Sequence, residues 1–145
     1  MLYNSLMIFS RLVRLLPYSV LLFLGRILGN LYYILIKKQR KRAIAQMMPA
    51  LNVSEEEAKK LVRESFVNLA RNVLDIFYMP NLNEKNLSDY IRIDHLERMK
   101  DALAEGHGVV VLTGHIGTWE WLSAAFTLNG LPVTAIAKLQ PNQEY

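Results

Sequence analysis

The chain contains no cysteine. That excludes a disulfide framework, a thiolate nucleophile and thiolate metal ligands. It has no Gly-x-Ser-x-Gly elbow, so the common serine-hydrolase arrangement is absent. It has no Walker-type glycine-rich loop and no His-Glu-x-x-His helix, which removes the usual nucleotide and zinc-protease motifs. Acidic residues are missing from the whole of residues 1–50, which carry eight Lys/Arg. Residues 51–145 carry nine Lys/Arg and thirteen Asp/Glu. A cationic first third beside long apolar sequence points to an anionic membrane surface rather than to nucleic acid.

Leu15–Ile36 is almost unbroken apolar sequence, with Arg26 its single ionisable group besides tyrosine hydroxyls. One helix of that length would reach roughly 33 Å, about a hydrocarbon core. It is too long for a signal peptide and lacks a small-residue cleavage site. Arg26 sits near mid-segment, where a charge costs roughly 2.5–3.5 kcal/mol on insertion scales. Tyr18, Arg26, Gly29, Asn30, Tyr33 and Lys37 fall near one helical stripe, which also fits a helix lying in the interface or packed on protein. Spanning and in-plane placements both stay open. Lys37–Arg42 reads as a solvated face or topology signal that keeps the following domain cytoplasmic. The expected organisation is a membrane-anchor helix with its basic flank over 1–42, then a domain over 43–145.

Within that domain, Ala43–Leu51 predicts a short helix interrupted at Pro49. Ser54 with Glu57 forms a capping box. Ala58, Leu61, Val62, Phe66, Leu69, Ala70, Val73, Leu74 and Phe77 then recur at helical spacing until Pro80 stops the helix. Arg71 and Asp75, four apart, read as a surface pair. Asn81–Ser88 is a polar connection. Tyr90–Ile93, Val109–Leu112 and Pro132–Ala137 predict strands, separated by helices at Leu96–Ala104 and Trp119–Leu128. That order predicts a layered α/β fold with some parallel pairing.

The chemistry concentrates in Gly114-His115-Ile116-Gly117-Thr118-Trp119-Glu120. His115 and Glu120 are five apart and would not share a face of one regular helix. They meet only if the backbone between them is non-helical, and the glycines permit that. A carboxylate beside an imidazole fixes its tautomer and stabilises the imidazolium, which makes a general base without metal or cofactor. Alone, His115 also fits a hydrogen-bonded turn, and Glu120 fits a helix N-terminus. Gly117 and Thr118 shape the turn, and backbone N–H groups there suit an oxyanion; Thr118 also suits an N-cap. His95 and His107 read as surface residues. Trp119 and Trp121 suit packing or a membrane interface.

His115-x-x-x-x-Glu120 after an apolar segment resembles the signature of the lysophospholipid acyltransferase superfamily. Glu105–His115 followed by Gly117-Thr118-Trp119-Glu120 more specifically resembles the bacterial lipid A lauroyl/myristoyl acyltransferases. Their usual pattern is H-x-G-N-W-E, and Thr118 stands where that pattern has Asn. The resemblance implies a membrane-associated O-acyltransferase at the cytoplasmic face of the bacterial inner membrane. It implies acyl carrier protein as donor, a lipid A precursor hydroxyl as acceptor, and direct attack without an acyl-enzyme. His115 and Glu120 would be catalytic, with Gly117 and Thr118 near substrate. A lysophospholipid or other glycolipid acceptor is the alternative, as is a catalytically incomplete membrane-anchored fragment. By the resemblance, the family continues past Tyr145 with an Arg-containing motif, so 43–145 is expected to be the first part of the acyltransferase domain.

Overall fold

The computed structural model describes residues 2–136 of the chain. Its helices are α1 Leu2–Arg14, α2 Tyr18–Leu35, α3 Lys37–Leu51, α4 Glu55–Tyr78, α5 Leu87–Tyr90, α6 Leu96–Ala104 and α7 Glu120–Leu128. The chain divides into two compact units, one spanning Ile8–Tyr78 and one built on residues from Met79 onward together with the first seven.

The expected single helix over Leu15–Ile36 is broken at its start. Pro17, with φ −58, precedes α2 and cannot donate a helical hydrogen bond. The turn before it tightens, with Leu15 N–H donating to Leu12 O and Leu16 N–H to Val13 O, both at 3.2 Å. Helix α2 itself has 18 residues and is long and apolar enough to cross a membrane by length and composition. At Ile36 (φ −92, ψ 69) the chain kinks rather than loops. The Ile36 N–H still donates to Tyr32 O at 2.9 Å, and Ile36 O accepts from the Arg40 N–H at 3.1 Å. The basic run is therefore the start of α3. It is not wholly solvated: Arg40 donates to Tyr33 O at 3.0 Å and lies 5.0 Å from the centre of the Tyr33 ring. Pro49 does not interrupt α3, which runs on to Leu51 and closes on Asn52 in the left-handed region.

The first unit is organised around α4, which packs against α2 and α3. Ser54 caps it as expected, its hydroxyl accepting from the Glu57 N–H at 3.2 Å. In the first turn the Lys59 ammonium, hydrogen-bonded at 2.6 Å, holds the Glu55 carboxyl below its usual range. Ala58, Val62 and Phe66 bury one stripe of α4 against Ile44, Tyr33, Met47 and Met48. Tyr32 and Tyr33 both contact the Phe66 ring, at 5.1 and 5.8 Å between centroids. Further along, the Tyr18 and Tyr78 rings meet at a tilt, and Phe9 meets Phe77 edge-on. The stripe read as core from periodicity is only partly so, since Leu69 and Val73 are exposed. Asp75 is buried, not the surface partner of Arg71. Ser54→Ala should cost about 1 kcal/mol, seen as a lower urea midpoint at unchanged slope.

Helices α2 and α4 approach closely at Gly25 and Gly29, spaced as Gly-x-x-x-Gly on α2. Both are buried. A Cβ on Gly29 would land on the Val67 Cα and lie 2.7 Å from Phe66 O. One on Gly25 would lie 2.6 Å from the Arg71 Cγ. Two backbones touch there because neither glycine has a side chain to hold them apart. Gly29 belongs to the stripe that suits either an interface or protein packing by its pattern. Here it packs on protein.

In the second unit the loop after α4 is stitched by asparagines. Asn83 N–H donates to Asn86 Oδ1 at 2.8 Å, and Asn86 Nδ2 donates to Asn81 O at 3.0 Å. Leu82, Leu87, Trp121, Ala125 and Leu131 are buried. Tyr90 meets Trp121 edge-on at 6.2 Å. Helix α7 stops at Asn129–Gly130 as expected, with Gly130 at φ +76 and Leu131 N–H returning to Phe126 O.

The strands of the expected α/β fold are not found among the described residues. Tyr90 closes α5, and Ile91–Ile93, Val109–Leu112 and Pro132–Ile136 are irregular or extended backbone; Ala137 lies outside the described residues. The physical reason is that a strand exists only within a ladder, and none of these segments pairs with another. Val110 and Leu112 are 90% and 94% exposed. Apolar β-branched composition marks a segment that wants covering, but it cannot supply the partner.

Candidate functional site

His115 lies at the centre of a three-residue turn in which the Ile116 N–H donates to Gly114 O at 2.8 Å. Gly117 comes next but one, at φ +60, a conformation that disfavours any side chain. The chain then turns into α7, with Trp121 N–H donating to Thr118 O and Leu122 N–H to Trp119 O, each at 3.0 Å. The break that His115 and Glu120 needed is therefore present. A Cβ on Gly117 would meet nothing within 4 Å, and one on Gly114 would meet only the Ile116 side chain, at 3.8 Å.

Glu120 is the first residue of α7, where the helix macrodipole favours a carboxylate. Its Oε2 is buried and has no hydrogen-bond partner. An orphan of this kind costs roughly 1–3 kcal/mol, more for a charged group. The His115 side chain is exposed and meets the Trp119 ring edge-on at 4.9 Å and 64°. No hydrogen bond joins it to Glu120. The site thus holds an accessible imidazole, an unsatisfied carboxylate oxygen and one aromatic ring beside the imidazole. Thr118 is half-buried, and the residue immediately before α7 is Trp119, which makes no side-chain cap. Of the two tryptophans, Trp121 is core and Trp119 is at the surface.

A histidine–carboxylate contact does occur elsewhere. His95 Nδ1 lies 3.1 Å from Glu97 Oε1, both side chains well exposed. His95 adopts φ +61 just before α6, which lets its ring reach a carboxylate two residues on. A spacing of two carries no motif, and the left-handed backbone that closes it leaves no mark in the sequence. His107 is exposed, as expected. Among the described residues no group of three or more His, Asp or Glu side chains is placed to share a metal ion.

The family model for bacterial lipid A biosynthesis acyltransferases matches residues 3–144. Among curated proteins, a phosphatidylinositol mannoside acyltransferase from Mycolicibacterium smegmatis is 25% identical over 111 residues. That match covers 74% of this chain and 35% of the relative, so the chain spans about a third of the relative's length. No solved structure matches the chain.

Proposed function

Because the chain belongs to the bacterial lipid A biosynthesis acyltransferase family, we propose that the complete protein is a membrane-associated O-acyltransferase using His115 as its general base. The observation that carries this is the buried, unpartnered Glu120 oxygen five residues from an exposed histidine across a non-helical turn. A hydrogen bond from the His115 ring to that oxygen would remove the orphan. His115 then takes the proton of an acceptor hydroxyl while the oxygen attacks the thioester carbonyl. The C–S bond breaks, and the leaving thiolate receives the proton back from the imidazolium. Glu120 holds the ring and stabilises its protonated form. Backbone N–H groups at Gly117 and Thr118, at the entrance to α7, suit the developing oxyanion.

The donor in this reading is acyl carrier protein and the acceptor a lipid A precursor, at the cytoplasmic face of the inner membrane. Residues 1–42 attach the protein there. Support comes from the exposed apolar side chains of α1 and α2, among them Leu12, Phe23, Ile27 and Leu31, followed by the basic start of α3. In the complete protein, Val109–Leu112 joins a sheet that covers its exposed side chains, giving the layered α/β domain. A second acceptor class is supported by the mannoside-acylating relative: the same chemistry directed at a hydroxyl of another glycolipid.

The test is acyl transfer by the purified complete protein from radiolabelled acyl carrier protein, offered a lipid A precursor or a phosphatidylinositol mannoside. Label in the lipid A precursor is expected. Label only in the mannoside would move the acceptor to the second class. Label in neither, with acyl-coenzyme A also inert, would overturn the acyltransferase reading.

A further inference from the structure

A cavity of about 500 Å³ lies in the first unit between α2 and α4. Arg26 and Asn30 line it from α2, and Lys60, Arg63, Glu64 and Arg71 from α4. Four cations thus face one carboxylate. The spacing has a simple origin: positions 26 and 30 lie one helical turn apart, and 60, 63/64 and 71 follow one stripe of α4. Gly25 and Gly29 let the two helices approach closely beside it. Two of the four are fixed in place. Arg63 Nε donates to Asn30 Oδ1, and Arg71 Nε donates to Leu22 O at 3.4 Å. Each retains further guanidinium N–H groups for a ligand. The side chains of Arg26 and Lys60 make no hydrogen bond or ion pair among the described residues.

We propose that this cleft is a binding site for a phosphate oxyanion, carried by the headgroup of a membrane lipid. Clustered cations raise the local concentration of anions and repel one another without one. Planar guanidinium groups match phosphate oxygens two at a time. The lipid origin rests on the surfaces that flank the cleft. Along α2, Phe23, Ile27, Leu31 and Ile34 make an exposed apolar face. Arg26 and Asn30 stand at the edge of that face, between it and the glycine contact with α4. A ligand with a phosphate in the cleft and a chain along that face uses both surfaces. The same layout places α2 in the plane of the interface. Were α2 to span the bilayer, Arg26 and the cations packed beside it from α4 would sit near mid-membrane, where charges are costly. The site lies outside the His115 turn and does not depend on the acyl-transfer reading.

The experiment is a calorimetric titration of the protein with a short-chain phosphatidic acid kept monomeric, so that no charged bilayer surface contributes. Saturable binding is expected, weakened roughly tenfold or more in the Arg26→Gln/Lys60→Gln variant. Neither side chain holds the fold together, so circular dichroism should be unchanged. A Lys38→Gln/Lys41→Gln variant removes equal charge from the start of α3 and should keep wild-type affinity. Equal loss in both variants, or no saturable binding by the wild type, would overturn the proposal. Competition with inorganic phosphate then separates the sources. Resistance to it shows that the lipid-borne group is the ligand, while full displacement supports the cleft and assigns it to free phosphate.

Discussion

Replacing His115 with alanine in the complete protein is expected to lower acyl transfer roughly 100- to 10,000-fold, the usual worth of a general base. The fall should appear in the chemical step, because without the imidazole the acceptor hydroxyl has nowhere to send its proton. Stability should hardly change, since the side chain is exposed and makes one edge-on ring contact. On the proposed role of residues 1–42, membrane attachment should persist, because those residues are untouched. Glu120→Gln should move activity in the same direction with little effect on the fold, since the Glu120 oxygen it replaces is buried without a hydrogen-bond partner. The double variant should be little worse than His115→Ala alone, as expected when two groups act as one unit. Single-turnover transfer from radiolabelled acyl carrier protein, with vesicle flotation alongside, reads all of these. Wild-type rates in His115→Ala would remove the base.

Gly29→Val is expected to have the largest effect on folding. A side chain there meets backbone, the Val67 Cα and Phe66 O, neither of which can rotate away. Overpacking costs about 1–3 kcal/mol where side chains can shift, and backbone-to-backbone contact puts this case at or above that range. The expected signs are a lower thermal midpoint and faster proteolysis within α2. Gly25→Ala should do less, because its nearest atom is on the Arg71 side chain. Gly114→Ala should be nearly silent for folding, with Ile116 the only neighbour, at ordinary contact distance. A ranking with Gly114→Ala worst would mean that α2 and α4 do not touch as described.

The helices are legible in the sequence wherever a local signal ends them. Ser54 starts α4, Asn129–Gly130 ends α7, and Leu96–Ala104 is a helix over the expected residues. Pro17 is as plain a signal as these, but hydropathy alone runs straight through it and merges the end of one helix with the next. The strands are not legible as outcomes because pairing is not local: Val109–Leu112 has strand composition and, among the described residues, nothing to pair with. The Gly25–Gly29 contact is recoverable from its Gly-x-x-x-Gly spacing on an apolar helix. The site is legible in part. Residue types and spacing locate the non-helical turn and the two residues proposed as a pair. They do not show that His115 rests on Trp119 while Glu120 keeps a buried oxygen unpaired. Rotamers of an exposed ring depend on what else fills the site, and no periodicity records that. The cationic cleft is hidden for a similar reason. Arg26 stands out as a charge in apolar sequence, but its companions lie more than thirty residues away on α4.

The most direct measurement is the separation between the His115 ring nitrogens and the Glu120 carboxylate in an experimental structure of the complete protein with a bound acyl-donor analogue. The prediction is one ring nitrogen within roughly 2.6–3.2 Å of a Glu120 oxygen and the other facing the thioester position. A ring still lying on Trp119, with Glu120 satisfied by some other donor, would contradict the assignment of the pair.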